Sequence, residues 1–373
     1  MTKAQLTRKE VPIVYAMVTI AKRLEGAMRK MNFHLDDDAF IASLLGEVPP
    51  AVRAKLSRPN PLKFIDLFSG IGGFHVAAEE LGMRCVFASD IDESARRAYE
   101  ANFGIKPAGD ITKIDASDVP DHDLLFAGFP CQPFSIIGKR HGFDDPRGTL
   151  FFDVVRILAA KRPRGFVLEN VKQMATADRG RVINRILEEL RSIGYDADYR
   201  VLNALDFGLP QKRERTIIVG ILQEEGGLGH YIWPAGNVPM KPLSDLLEEN
   251  PSPKVFASER IRLKRKAAHS PAVTPSIWHE NKSGNVSSHP YSCALRAGAS
   301  YNYLLVNGER RLTARESLRL QGFPDSYKIV VPDSHVRKQT GNAVAVPVVR
   351  GVIKEVRDAL KTGKAKRRET EAA

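Results

Sequence analysis

From Leu62 onward the chain alternates short apolar runs with amphipathic stretches. Phe64–Leu67, Cys85–Ala88, Leu124–Ala127 and Phe166–Leu168 are runs of strand length, the pattern of strands covered on both faces. His75–Leu81, Glu93–Asn102, Leu150–Ala160 and Val182–Ile193 repeat at helical spacing, and Gly82 and Gly194 stop two of them. This alternation predicts an α/β fold of the doubly wound, Rossmann-like kind, a mostly parallel sheet with helices on both faces. Tyr199–Leu202 and Thr216–Leu222 follow without a clear helix between them, which predicts an antiparallel edge pair.

The flanking segments differ. In residues 1–60, Ile13, Met17, Ile20, Leu24, Met28 and Met31 fall on one helical face, and Asp36–Asp38 suit a second helix start. This is read as a helical N-terminal extension, joined through Ser57–Pro61. Residues 223–305 carry eight prolines from Pro234 to Pro290 and a basic run, Arg260–Lys266. They predict an irregular inserted domain. Thr313–Leu320 and Pro347–Leu360 are helical again, the second with proline in its first turn. The helix at 347–360 most simply packs back on the sheet. That makes 61–222 plus 306–360 one discontinuous domain, with 361–373 as a frayed basic tail.

Composition narrows the partners. A net charge of +12 and a basic pI suit a polyanion such as nucleic acid. Three cysteines, Cys85, Cys131 and Cys293, cannot build a disulfide framework or a Cys-rich zinc site. A reducing, cytoplasmic setting follows. The apolar N-terminal stretch is interrupted by Glu10 and Pro12 and is too short to span a bilayer.

In an open parallel sheet, ligands bind at the carboxyl ends of the strands. The first strand runs into Ser69-Gly70-Ile71-Gly72-Gly73, and His75 stands where a dinucleotide fingerprint needs its third glycine. The second ends at Asp90, placed to hold a ribose hydroxyl pair. Together they point to a nucleoside cofactor without a pyrophosphate. The third strand ends in Gly128-Phe129-Pro130-Cys131-Gln132-Pro133, which presents Cys131 as a candidate nucleophile. A small buried hydrophobe is the ordinary fate of a free cysteine, and Cys85 is assigned that fate. The fourth strand ends in Glu169-Asn170-Val171, where a buried acid would have a raised pKa suited to general acid chemistry. Gln211–Arg215 precedes the edge strand, which would put Arg213 and Arg215 on one face. A solvated basic face is the plainer alternative.

These segments, with Gly109–Thr112, Arg311–Pro324 (RLTARESLRLQGFP) and Gln339–Val349 (QTGNAVAVPVV), stand in one order. In that order the chain strongly resembles the DNA cytosine-5 methyltransferases of prokaryotic restriction–modification systems. The resemblance covers about residues 61–222 and 306–360. It implies an S-adenosylmethionine-dependent enzyme methylating carbon 5 of a cytosine flipped out of double-stranded DNA. Cys131 would be the nucleophile and Glu169 the acid at ring nitrogen 3, with Arg215 and Arg213 holding the base and its neighbourhood. Phe68, Ile71, Gly73, Asp90, Ile91, Asp110, Ile111, Pro130, Leu150 and Asn342 would line the cofactor site. Asp90 and Ile91 stand where the family often has Glu and Trp. Residues 132–148 would be a loop closing over DNA, and 223–305 the target-recognition domain. No metal and no membrane enter this reading, and a monomer is expected. A transfer-RNA cytosine-5 methyltransferase shares the catalytic segments, although the long basic insert favours DNA. A nicotinamide-dependent oxidoreductase is disfavoured by the missing glycine and the Pro-Cys loop. A catalytically dead DNA-binding relative is disfavoured by the intact Cys131, Glu169 and Arg215.

Overall fold

The computed structural model describes residues 61–130 and 149–371. The expected N-terminal helices, Cys131 and the loop at 132–148 lie outside the described residues. The first half builds β1 (Lys63–Leu67), α1 (Gly73–Glu80), β2 (Arg84–Ser89), α2 (Glu93–Phe103), β3 (Leu124–Ala127), α3 (Thr149–Lys161), β4 (Gly165–Val171), a short α4 (Gln173–Thr176) and α5 (Arg181–Ser192). β5 (Tyr195–Asn203), β6 (Gln211–Lys212) and β7 (Glu214–Leu222) follow.

The main sheet has the order β2-β1-β3-β4-β7-β5. β1 to β4 are parallel, and β7 runs antiparallel to both β4 and β5. The antiparallel pair is present, but only β5 is an edge. β7 is buried from Thr216 to Leu222 because it has β4 on one side and β5 on the other.

Helices cover both faces. Val182, Ile183, Ile186, Leu187 and Leu190 of α5 repeat at helical spacing and bury against one face, with Val154, Ile157 and Leu158 of α3. Each such side chain contributes about 1.5–3 kcal/mol when fully buried. Phe74, Ala77 and Ala78 of α1 cover the other face. There they meet Val348, Val349, Val352 and Val356 of α9 (Val346–Glu371), which returns from the far end of the chain. α9 continues through Lys361 to Glu371, where the sequence predicts a frayed tail.

The insert is more regular than its prolines suggest. It holds α6 (Glu259–Ala268), β8 (Ile277–Glu280), β9 (Val286–His289) and β10 (Ser292–Cys293), and β11 (Leu304–Val306) closes an antiparallel sheet β11-β8-β9. Pro271, Pro275 and Pro290 fall in the connections, where a missing ladder donor costs nothing. β10 pairs with β6 and so stitches the insert to the frame. After it come α7 (Ala314–Leu320) and α8 (Asp333–Asn342). α7 starts with a reciprocal cap between Thr313 and Glu316. The wholly buried Glu316 also takes both guanidinium nitrogens of Arg310 at 2.8 Å and the Glu248 amide at 2.8 Å. One carboxylate therefore ties the insert at Glu248 to the chain just beyond it at Arg310.

Candidate active site at the carboxyl ends of the strands

β1 leads into a strained turn. Phe68 sits at φ 54, a left-handed conformation that costs about 1–3 kcal/mol in a residue with a side chain. Gly70 and Gly72 follow at φ 53 and 81. A Cβ at Gly72 would lie 2.3 Å from the Phe103 ring, whereas one at Gly70 would meet nothing within 4 Å. The turn is closed beneath and open above, as a ligand cradle must be.

Asp90 holds this turn. Its Oδ2 accepts the Gly70 amide at 2.8 Å and its Oδ1 the Asp92 amide at 2.7 Å. Burial raises its pKa against the pull of these amides. Beside it Ile91 is an apolar side chain 74% exposed. The Asp90 amide bonds Ala108 O at 3.0 Å, which brings Asp110 and the buried Ile111 to the same edge. Asp110 caps a short turn through Thr112, and the Thr112 hydroxyl and amide lower its pKa. α8 is tied to the start of α2 by Lys338–Asp92 at 2.9 Å and Gln339–Ser94 at 3.1 Å, which leaves Asn342 exposed at its end. Gly73 packs under Val344. Leu150 is half-buried at the start of α3, next to Phe151, which packs on Phe129 at 5.7 Å. Pro130 is exposed at the end of the described loop.

The second cluster lies at the end of β4. Register places Glu169 opposite Ile217 and Val171 opposite Arg215, so Glu169 and Arg215 share a face as diagonal neighbours. Arg215 Nε lies 3.0 Å from Glu169 Oε1. Glu169 is buried, and burial raises its pKa although Arg215 and Arg213 oppose the shift. A Cβ at Gly128 would lie 3.9 Å from Glu169 Oε2, so the loop leading into Cys131 passes this carboxyl. Asn170, to which the sequence assigns no role, holds that loop: its Nδ2 donates to Phe129 O at 2.9 Å.

Arg213 departs from expectation. β7 begins at Glu214, so Arg213 precedes the strand, yet its side chain lines one small cavity with Glu169 and Arg215. Its side chain is buried, with Nη1 donating to Leu295 O at 3.1 Å and Nη2 to Gly341 O and Ala343 O at 3.2 and 2.7 Å. Burial, then the Arg215 charge, pulls its pKa down to about 9. Nearby Gln211 accepts the Leu295 amide at 3.0 Å and donates to Leu320 O at 2.7 Å. Neither role is visible locally, because every partner lies more than 80 residues away.

Most cations of the basic run are paired within the fold. Arg262 and Lys266 pair with Glu309, and Lys264 and Arg265 with Glu280. Cys85 is buried as expected, and burial pushes its thiol up to about 12.

The family model for C-5 cytosine-specific DNA methylases matches residues 62–358. The chain is 56% identical over 295 residues to the type II methyltransferase M.NgoBI of Neisseria gonorrhoeae, covering 78% of this chain and 92% of that protein. It is 53% identical to M.HaeII of Haemophilus aegyptius over 294 residues, with 78% and 91% covered. Among solved structures, the methyltransferase EhMeth of Entamoeba histolytica superposes with a TM-score of 0.64 at 18% identity, over 81% of this chain and 99% of that one. At that identity the likeness concerns the fold.

Proposed function

The chain belongs to the C-5 cytosine-specific DNA methylases and is a DNA (cytosine-5) methyltransferase of the restriction–modification type, and we propose that it works through a covalent Cys131 adduct on a flipped cytosine in duplex DNA. The observation that carries this is Glu169: a buried acid with a raised pKa, beside Arg215 and against the loop that leads to Cys131.

S-adenosylmethionine fits the residues at the β1 and β2 ends. Gly70 leaves open space, each Asp90 oxygen keeps a lone pair for a ribose hydroxyl, and exposed Ile91 offers an apolar surface to adenine. Phe68, Ile71, Gly73, Asp110, Ile111, Pro130, Leu150 and Asn342 complete the proposed lining. When bound, this cofactor supplies an electrophilic methyl group to carbon 5.

Cytosine carbon 5 is a poor nucleophile. The Cys131 thiolate adds to carbon 6 while Glu169 gives its proton to nitrogen 3, and the electron pair moves onto carbon 5 as an enamine. After methylation, loss of the carbon-5 proton drives out the thiolate and returns the nitrogen-3 proton to Glu169. Arg215 holds the Glu169 carboxyl and the base edge. A stacked base is out of reach, so the cytosine must be flipped. Residues 223–305 carry target recognition in this reading. A monomer in the cytoplasm belongs to the same proposal; among the described residues no helix is long and apolar enough to cross a membrane.

Fluorine at carbon 5 cannot leave as a cation. DNA with 5-fluorocytosine at the target should therefore trap a denaturation-resistant complex when S-adenosylmethionine is present. Cys131→Ser should abolish it while Cys85→Ser and Cys293→Ser keep it. An adduct mapped to any other residue overturns the mechanism.

A further inference from the structure

The sequence draws attention to Arg260–Lys266 as the nucleic-acid contact, but the fold uses most of that charge internally. Arg262 lies 3.1 Å from Glu309, Lys264 3.5 Å from Glu280, and Arg265 3.0 Å from Glu280, and Lys266 pairs with Glu309. Arg265 is buried and also donates to Trp278 O and Asn302 O. A cation paired with a carboxylate releases few counterions on meeting a phosphate.

A different set of arginines keeps its charge. Arg311 and Arg337 stand 4.4 and 4.8 Å from the ring centroid of Tyr301, which is 56% exposed. Arg296, also exposed, stands 4.9 Å from the ring of Tyr303. Their hydrogen-bond acceptors are neutral: Arg337 donates to Ser300 O at 3.4 Å, and Arg311 to Asn302 Oδ1 at 3.2 Å and to Lys254 O. Among the described residues none of the three pairs with a carboxylate. An aromatic face positions a guanidinium without neutralising it and leaves its N–H edge free for a bidentate phosphate contact.

Their place in the fold supports this use. Arg296 follows Leu295, whose carbonyl receives the guanidinium of Arg213 at 3.1 Å, next to the Glu169–Arg215 pair. A Cβ on Gly341 would lie 2.3 Å from the Ala297 amide nitrogen, so this segment lies directly on the end of α8. Arg337 comes from α8 itself.

We propose that Arg296, Arg311 and Arg337, held on Tyr301 and Tyr303, are a phosphate clamp that grips the DNA backbone beside the flipped base, and that the paired α6 cations Arg262, Lys264, Arg265 and Lys266 are not. This rests on the methyltransferase reading above. The test measures DNA affinity of the full chain against salt, alongside calorimetric binding of S-adenosylhomocysteine as a control for the frame. The triple variant Arg296→Gln, Arg311→Gln, Arg337→Gln should lower the log–log salt slope by about 2.7, at roughly 0.9 per phosphate contact. Between 50 and 200 mM salt the wild type should then lose roughly 40-fold more affinity than the variant. Arg311 has internal bonds, so the double variant Arg296→Gln, Arg337→Gln is run beside it, with an expected drop of about 1.8. Arg262→Gln, Lys264→Gln, Lys266→Gln should leave the slope at the wild-type value. If the chain methylates DNA but the clamp variants keep its slope, or the α6 variant lowers it, the clamp is wrong and the enzyme reading stands. A wild-type chain that binds no DNA overturns both.

Discussion

The frame and the insert are built from the same residue types but write their contacts differently. In the frame, chemistry sits at strand ends, and each functional group is fixed by a neighbour from the next strand. Asp90 reaches Gly70, Asn170 reaches the Phe129 carbonyl, and Glu169 meets Arg215 across one ladder. The parallel sheet brings those ends together whatever the intervening helices contain. In the insert, charge is sorted by pairs that no ladder aligns, some within it and some with the frame just beyond. Glu309 and Glu280 reach back to α6, and Arg213 comes from the frame to tie Leu295, Gly341 and Ala343. A strand end is a position that topology repeats, whereas no strand order places Glu280 and Glu309 beside α6.

The comparison makes the frame's chemistry separable from its binding. Glu169→Gln keeps shape and hydrogen bonding but removes the acidic proton. Turnover should fall about 10²- to 10⁴-fold, with S-adenosylhomocysteine affinity unchanged by calorimetry. The protonated acid is required, and burial raises its pKa. In the wild type, kcat/KM should therefore fall as pH rises through that raised pKa, and the glutamine variant should lack this limb. An equal loss of cofactor affinity would mean that Glu169 is structural.

Arg213 is where the two regions meet, and its loss should separate them. Arg213→Met leaves the carbonyls of Leu295, Gly341 and Ala343 without a buried donor, at about 1–3 kcal/mol for each left unsatisfied. Water entering the gap would lower the total, so about 2–5 kcal/mol is expected from urea unfolding. Limited proteolysis should cut the insert before the frame. If stability falls but both regions are cut together, the insert and frame form one cooperative unit and the contrast between them weakens.

Legibility follows the same line. The four parallel strands and their helices are visible in the sequence because burial on both faces forces continuous apolar runs. The pairing of Asp90 with the glycine turn is visible because a strand–turn–helix unit fixes their spacing. Arg213 was not legible as a tie between segments: two residues from Arg215, it looks like a second base-holding group, and the carbonyls it binds lie more than 80 residues away. The partners of the basic run were not legible because nothing local shows Glu280 and Glu309 arriving beside it. The insert's short sheet was hidden by prolines that fall in its connections.

The frame holds one exception to its own rule, and it gives the smallest expected effect. Asp66 lies in β1, inside a run that reads as apolar, and it is wholly buried with neither carboxyl oxygen completing a hydrogen bond. Burial first, then the Asp90 charge, raises its pKa well above the usual carboxylate range. The folded state therefore holds this proton where the unfolded chain, titrating near 3.8, has released it. Its stability contribution is whole below that pH and is lost as pH rises through the folded pKa, by at most about 1.4 kcal/mol per pH unit. Asp66→Asn has the same shape and no titration. Its stability relative to wild type, from urea midpoints, should be flat below pH 4 and grow with pH above it. A difference that does not change between pH 4 and pH 8 would mean that Asp66 is ionised in the folded protein, and that the frame, like the insert, hides a charge partner the strand order does not reveal.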